Sequence, residues 1–217
     1  MASTATDIRI TEYLHSLEPE AEPLLRELRQ YAKANEVPII RIETESFIRT
    51  LLGIMKPRHI LEIGTAIGYS SICMAKASDA DIITIESYDK RIPIARDNIS
   101  RAGLDDRISL IEGDAGNVLK ELADRKESFD FVFLDAAKGQ YPVWLPDILR
   151  LMHKDSVLLA DNVLQECTVT ESRFAIPRRE RTTHERMREF LYTLKHSEAL
   201  SSSVLNIGDG VSLSVLL

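Results

Sequence analysis

Apolar positions along the chain keep two different intervals, and the change falls near Pro57. Before it, Leu24, Leu25, Leu28 and Tyr31 recur every three or four residues, as do Phe47, Ile48, Leu51, Leu52 and Met55. Such intervals put side chains on one face of a helix. The spacing predicts helices through residues 7–55, with a start signal at Ser16 and prolines early in the run that follows it. Beyond Pro57, short runs rich in β-branched residues (59–64, 81–87, 108–114, 129–136, 156–162) alternate with helix-patterned ones (69–77, 89–103, 117–125, 141–153). That alternation predicts βαβ crossovers and a parallel sheet with helices on both faces. A last helix over about 178–196 leads into 202–208 and 211–217. Gly208-Asp209-Gly210 between those two runs predicts a closing antiparallel hairpin. No repeat, low-complexity tract or linker interrupts the pattern. Residues 1–217 are therefore expected to form one α/β domain, with 1–56 a helical extension packed on it.

Composition narrows the classes of function. At 217 residues, 44% hydrophobic and 28% charged, the chain is long enough to bury a sizeable core. A formal net charge of −7 excludes attraction of the whole molecule to nucleic acid, so any such partner requires a local basic patch. Cys73 and Cys167 are too few for a disulfide framework and lack metal-ligand spacing. Both are expected to be reduced, in a cytoplasmic protein. No apolar stretch nears membrane-spanning length, and no basic-then-apolar leader opens the chain, so neither membrane insertion nor secretion is expected.

In parallel sheets of this kind, ligands bind beyond the carboxyl ends of the strands, where strand order reverses. Glu62, Gly64, Glu86, Asp114, Asp135, Asp161 and Asn162 all fall at or just past such ends and are expected to converge on one crevice. The first βα turn, LEIGTAIGYSS (61–71), carries Gly64 and Gly68 for a tight turn, then Ser70 at a helix start. Glu86 ends the next strand and suits hydrogen bonds from both hydroxyls of a ribose. These features predict a nucleoside-containing cofactor. The G-x-x-x-G spacing departs from the G-x-G-x-x-G of dinucleotide loops. Glu62 would repel a pyrophosphate but suits the cationic amino-acid end of S-adenosylmethionine. Asp114 can reach an adenine amino group. The plainer alternatives are a glycine turn over a buried Glu62 and a simple helix cap at Asp114.

With LEIGTAIGYS, ITIES, GDA, FLDAAKGQY and LLADNV in this order, the chain from about residue 38 onward resembles the class I S-adenosylmethionine-dependent methyltransferases. More narrowly, it is similar to the cation-dependent O-methyltransferases that include the catechol and caffeoyl-coenzyme A enzymes. The resemblance implies a three-layer, Rossmann-like class I methyltransferase fold with a mostly parallel seven-stranded sheet, and a homodimer. It implies cofactor contacts at Ile40, Glu62, Gly64, Ser70, Glu86, Ser87, Asp114, Ala115 and Asp135. It also implies a divalent cation held by Asp135, Asp161 and Asn162. Those oxygens suit Mg²⁺, with Mn²⁺ as the alternative, because such an ion takes about six oxygen ligands and leaves room for substrate and water. A set without His or Cys argues against zinc. Standing alone, Asp161-Asn162 reads equally well as an Asx turn after a strand. Lys138, three residues past Asp135, is the candidate base for the acceptor's hydroxyl proton, its pKa lowered beside a dication. A solvated loop lysine is the alternative.

Two features bear on the acceptor. Ala136 and Ala137 stand where the catechol enzymes carry a His and a bulky aromatic, which implies a roomier mouth. Then Arg173, Arg178, Arg179, Arg181, Arg186 and Arg188 crowd into 171–190 against Glu171, Glu180, Glu185 and Glu189, a local reversal of sign. These arginines are candidate phosphate contacts for a polynucleotide. The alternative is an amphipathic helix with a solvated basic face. Together with the IGDGVSLS ending, residues 172–198 resemble the bacterial tRNA 5-hydroxyuridine methyltransferases, which make 5-methoxyuridine at the wobble position. The resemblance implies an anticodon-loop substrate. The O5 hydroxyl and O4 carbonyl of 5-hydroxyuridine are vicinal oxygens like those of catechol, and an exposed loop base suits a recessed site. Three other readings stay open: a small-phenol O-methyltransferase, a nicotinamide dehydrogenase, and a non-catalytic RNA-binding protein on the same fold.

Overall fold

A computed structural model describes residues 8–217. The chain opens with α1 (Ile8–Leu17), α2 (Pro23–Ala34) and α3 (Ile42–Met55). Ser16 does not start a helix as its sequence context suggests. It lies inside α1 and donates to the Tyr13 carbonyl at 2.6 Å. The helix start belongs to Pro23, whose fixed φ and missing N–H suit a first helical position. Leu25, Leu28 and Ala32 of α2 are buried, while Tyr31 stays 38% exposed. In α3 the buried positions are Thr44, Ile48 and Leu52, and Lys56 ends it in the left-handed region before Pro57.

Five strand–helix units and a closing hairpin follow. The first three units are β1 (His59–Ile63), α4 (Tyr69–Ala77), β2 (Asp81–Glu86), α5 (Ile92–Arg101), β3 (Ile108–Glu112) and α6 (Ala115–Asp124). Next come β4 (Phe129–Leu134), α7 (Tyr141–Arg150), β5 (Met152–Ala160), α8 (Arg181–His196), β6 (Leu200–Leu205) and β7 (Val211–Leu216). The seven strands lie in the order β3-β2-β1-β4-β5-β7-β6, the first five parallel and the hairpin antiparallel. The architecture is thus the expected three-layer α/β one. Strand β5 begins earlier than the apolar run starting at Ser156 suggests, because its first half is polar and exposed: His153, Lys154 and Asp155. An irregularity between Phe129 and Phe131 absorbs that extra length, and the Ser156 hydroxyl ties it down by donating to the Phe129 carbonyl.

Each central strand buries both faces, and successive residues go to opposite cores. Leu61, Ile63, Val132, Leu134 and Leu158 pack with α6, α7 and α8. Ile60, Phe131, Phe133, Val157 and Leu159 pack with α2, α3 and α4. Strand order runs outward in opposite directions from the β1–β4 boundary, so the crevice opens at the carboxyl ends of those two strands. Among the described residues, no helix is long and apolar enough to cross a membrane.

Candidate active site

The switch point brings two strand ends into close backbone approach. A Cβ at Gly64 (φ +106°) would stand 2.0 Å from the Asp135 carbonyl oxygen, so the end of β1 reaches β4 only as glycine. Above this contact opens a cavity of about 810 Å³. Ile40, Gly64, Ser70, Glu86 and Ser87 line one end of it. Asp114, Ala115, Asp135, Lys138 and Asn162 line the rest, so ten of the sequence-selected residues share one space.

At the β1–β2 end, the acidic groups are held by their own neighbours. Glu86 Oε2 accepts from the Ala66 amide at 2.8 Å, and Oε1 accepts from the Ser87 and Tyr88 amides at 2.9 Å each. A carboxylate has about four lone-pair positions, so roughly one is left for a ligand hydroxyl rather than the two expected. Glu62 departs from expectation further. It is fully buried and does not line the cavity, because β1 sends its side chain toward α4 and β2. There Oε2 accepts from the Ser71 and Thr84 hydroxyls, whereas Oε1 has no partner among the described residues. Burial pushes the Glu62 carboxyl up to about 7; the Ser70, Ser71 and Thr84 hydroxyls pull it back, and the Asp135 charge raises it further. Asp114 does both things its sequence context allows: it lines the cavity and caps α6, accepting from the Asn117 amide at 3.1 Å. Trp144, which no sequence signal marked, completes that wall.

At the β4–β5 end, acidic groups face each other instead. Leu134 and Ala160 are paired across the two strands, so Asp135 and Asp161 emerge side by side. Asp161 is 1% exposed; its Oδ1 accepts from the Asn162 amide at 2.8 Å, and its Oδ2 has no partner among the described residues. Burial pushes the Asp161 carboxyl up to about 7, and the Asp135 charge adds to the rise. Asn162 follows at φ +54°, a region Asn tolerates better than most residues, and reaches the cavity. A buried carboxylate oxygen without a donor, beside a second carboxylate and an amide, is a set of oxygens suited to a hard cation. No group of three or more His, Cys, Asp or Glu side chains gathers in such an arrangement among the described residues.

Lys138 is held from two sides. Burial lowers its pKa, but the Tyr141 hydroxyl at 3.0 Å and Asp135 Oδ1 at 2.6 Å outweigh that and hold it above the ordinary lysine range. In this structure Lys138 is the counter-ion of Asp135. Tyr141, the last residue of the FLDAAKGQY stretch, escaped notice as a functional residue. Its hydroxyl is buried and donates to the Leu134 carbonyl at 3.0 Å, and burial raises its own pKa.

The six arginines divide in a way their sequence spacing did not reveal. Arg181, Arg186 and Arg188 donate to the carbonyls of Ile176, Gly139 and Val169, at 2.9, 2.9 and 2.8 Å. They fasten 163–180 and the turn at Lys138–Gln140 to α8, each through one of its five donors. Arg173 pairs with Glu185 at 2.7 Å. Arg179 is 86% exposed beside Glu180, and Arg178 has no hydrogen bond or ion pair among the described residues. This segment borders a second hollow of about 450 Å³, which shares Lys138 and Asn162 with the first cavity and reaches Ile176, Thr183 and His184.

The chain is similar in sequence and fold to known proteins. A catechol O-methyltransferase from Niastella koreensis is 30% identical over 207 residues, covering 91% of each chain. An O-methyltransferase from Bacillus cereus, solved in complex with S-adenosylhomocysteine, superposes with a TM-score of 0.85 at 29% identity, over 96% of this chain and 97% of that one. A Streptomyces achromogenes O-methyltransferase involved in tomaymycin synthesis, solved with S-adenosylmethionine, gives 0.83 at 26% identity over 96% of each chain. The family model described as O-methyltransferase spans residues 15–216, from within α1 to the end of β7. With nearly its whole length matched, this chain belongs to the O-methyltransferase family.

Proposed function

We propose that this chain transfers the methyl group of S-adenosylmethionine to one of two vicinal oxygens, and that its acceptor is 5-hydroxyuridine at the tRNA wobble position, giving 5-methoxyuridine. Support for the donor is the cavity at the switch point, together with the relatives solved holding S-adenosylmethionine or its demethylated product. Ile40, Gly64, Ser70, Glu86, Ser87, Asp114, Ala115 and Asp135 are the residues proposed to hold it, with Glu62 buried beneath. Support for a divalent cation is the partnerless Oδ2 of Asp161 beside Asp135. Asp135, Asp161 and Asn162 would hold Mg²⁺ or Mn²⁺, which when bound stabilises negative charge on an acceptor oxygen. Lys138 Nζ is the atom proposed to receive the acceptor's proton. Burial disfavours the charged amine, while Tyr141 and Asp135 hold the proton on it; release of the Asp135 bond would shift that balance toward the neutral amine. Methyl transfer is a displacement, so aligning the oxygen behind the methyl group supplies much of the rate.

The observation that carries the RNA acceptor is the segment bordering the second hollow. Arg178 and Arg179 are exposed between Ile176 and Glu180, which line it, and close in sequence to Phe174, which is 86% exposed. An exposed aromatic among arginines offers base stacking and phosphate contacts together. Incubation with hypomodified tRNA, S-adenosylmethionine and Mg²⁺, read by nucleoside mass spectrometry, is expected to yield 5-methoxyuridine. Absence of that product alongside brisk methylation of catechol or caffeate would overturn the reading.

A second reading, a small catechol-like or caffeoyl-type acceptor, is favoured by a specific feature. Glu166, Glu180 and Asp209 also line the second hollow, and acids there oppose a polyanion. The same assay, run with both acceptors, decides between them. A homodimer is proposed through α1, whose Ile10, Tyr13, Leu14 and Leu17 are exposed at helical spacing.

A further inference from the structure

His184 is the anomaly of the second hollow. It is 3% exposed, it lines the hollow that also touches Lys138 and Asn162, and neither ring nitrogen has a hydrogen-bond partner among the described residues. A buried imidazole with both nitrogens idle is costly and calls for an explanation, of which a bound partner is one. Its position is also fixed. Arg186, two residues on, donates to the Gly139 carbonyl at 2.9 Å, and a Cβ at Gly139 would stand 3.4 Å from Thr183 Oγ1. The first turns of α8 are therefore locked against the turn that carries Lys138.

We infer that His184 is an acceptor-binding residue that recognises the imide edge of a uracil-type base. The inference rests on the proposed acceptor and goes beyond it. With O4 and O5 of 5-hydroxyuridine turned toward Asn162 and Lys138, the next atom around the ring is N3, which carries a hydrogen. That N–H enters the hollow and needs an acceptor. A neutral imidazole nitrogen supplies one. Catechol has only a carbon–hydrogen bond at the corresponding position and gains nothing from His184. A site built to hydrogen-bond a polar group rejects an analogue lacking it far more strongly than an apolar wall does. His184 would thus separate the nucleobase from the small phenol.

The test uses the full-length protein with Mg²⁺ and two acceptors, an anticodon stem-loop bearing 5-hydroxyuridine and catechol. His184→Leu is expected to lower kcat/KM for the stem-loop about tenfold or more, mainly through KM. Catechol turnover should stay within about twofold, and His184→Gln should restore most of the loss. Affinity for S-adenosylhomocysteine, unchanged in both variants, reports an intact fold. If His184→Leu fails to fold, the unmodified protein still decides through a stem-loop methylated at N3, expected to be about tenfold poorer. Equal losses on both acceptors in His184→Leu, or indifference to N3 methylation, would overturn the role given to His184. Failure of the unmodified protein to methylate any stem-loop would instead overturn the tRNA reading itself.

Discussion

The two ends of the crevice treat negative charge in opposite ways. At the β1–β2 end, Glu86 is met by three backbone amides, so its charge is satisfied before any ligand arrives. At the β4–β5 end, Asp161 receives one amide, keeps one oxygen without a partner and lies beside Asp135. Both acids sit at strand tips, yet one is met by donors on both oxygens and the other, buried behind the crevice, keeps an oxygen without a partner among the described residues, the place proposed for a cation. The first geometry organises a site through the protein's own donors. The second sets two carboxylates side by side, one paired with Lys138 and the other buried where its charge is disfavoured.

The sharpest way to break this contrast is Asp161→Asn. The amide is nearly isosteric and removes the charge that two carboxylates share. Activity on either acceptor is expected to fall on the order of 10²–10³-fold, as when one aligned electrostatic partner is removed from a reacting oxygen. The metal-free variant should melt no lower than the parent protein, because the charge removed is a buried and disfavoured one. Thermal melts with added Mg²⁺ complete the comparison: the parent is stabilised, by about 2.7 kcal/mol at a hundredfold excess over Kd, and the variant is not. Full activity in Asp161→Asn would remove the cation from the account.

Glu86→Gln probes the β1–β2 end and should do less. Its remaining oxygen still accepts the Ser87 and Tyr88 amides, but the new NH₂ faces the Ala66 amide, donor against donor. A loss of about 1–3 kcal/mol in stability follows. KM for S-adenosylmethionine should rise about tenfold while kcat changes little, because Glu86 would touch only the bound donor. A fall confined to kcat would contradict that division of labour.

Glu62 sharpens the contrast through pH. Its folded pKa is raised from the ordinary 4.5 to about 7, so between those values the folded protein binds more protons than the unfolded chain. The contribution of Glu62 to stability therefore falls as pH rises through about 4.5 to 7 and continues to fall above that, more slowly as the unfolded and folded forms are both ionised, until it levels off. Glu62→Gln should match the parent near pH 5, exceed it near pH 8 and flatten the slope of Tm against pH between. An unchanged slope would show that the buried carboxyl does not carry this dependence.

Which of these features were legible in the sequence follows from their physics. Strand tips are periodic and local, so the alternation of β-branched and helical runs located Gly64, Glu86, Asp114, Asp135 and Asn162 within a single cavity. Polar residues inside a strand give no such signal, and the first half of β5 was invisible for that reason. Glu62 looked like a ligand contact because sequence shows the residue and not its direction; β1 turns it toward Ser71 and Thr84. The rise in the Lys138 pKa depends on Tyr141, a partner that only the fold identifies. His184 sits in a run of charges whose surface character hid a buried ring.

The smallest expected effect separates the arginines, where composition suggested one basic patch and the fold makes two kinds of residue. Replacing Arg178 and Arg179 together by Ala should weaken tRNA methylation several-fold and reduce the salt slope of binding by about two, one for each phosphate left without its arginine. Turnover of catechol and thermal stability should not change, since neither side chain ties down the fold. Arg186→Ala is the matched control of the other kind. Without its bond to the Gly139 carbonyl the Lys138 turn loosens, so both acceptors should suffer and stability should fall by about 1–3 kcal/mol. If the exposed pair lowered catechol and tRNA turnover alike, that segment would be structural and the acceptor small. If Arg186→Ala harmed tRNA methylation alone, the tied arginines would be RNA contacts after all, and the basic segment would be one surface.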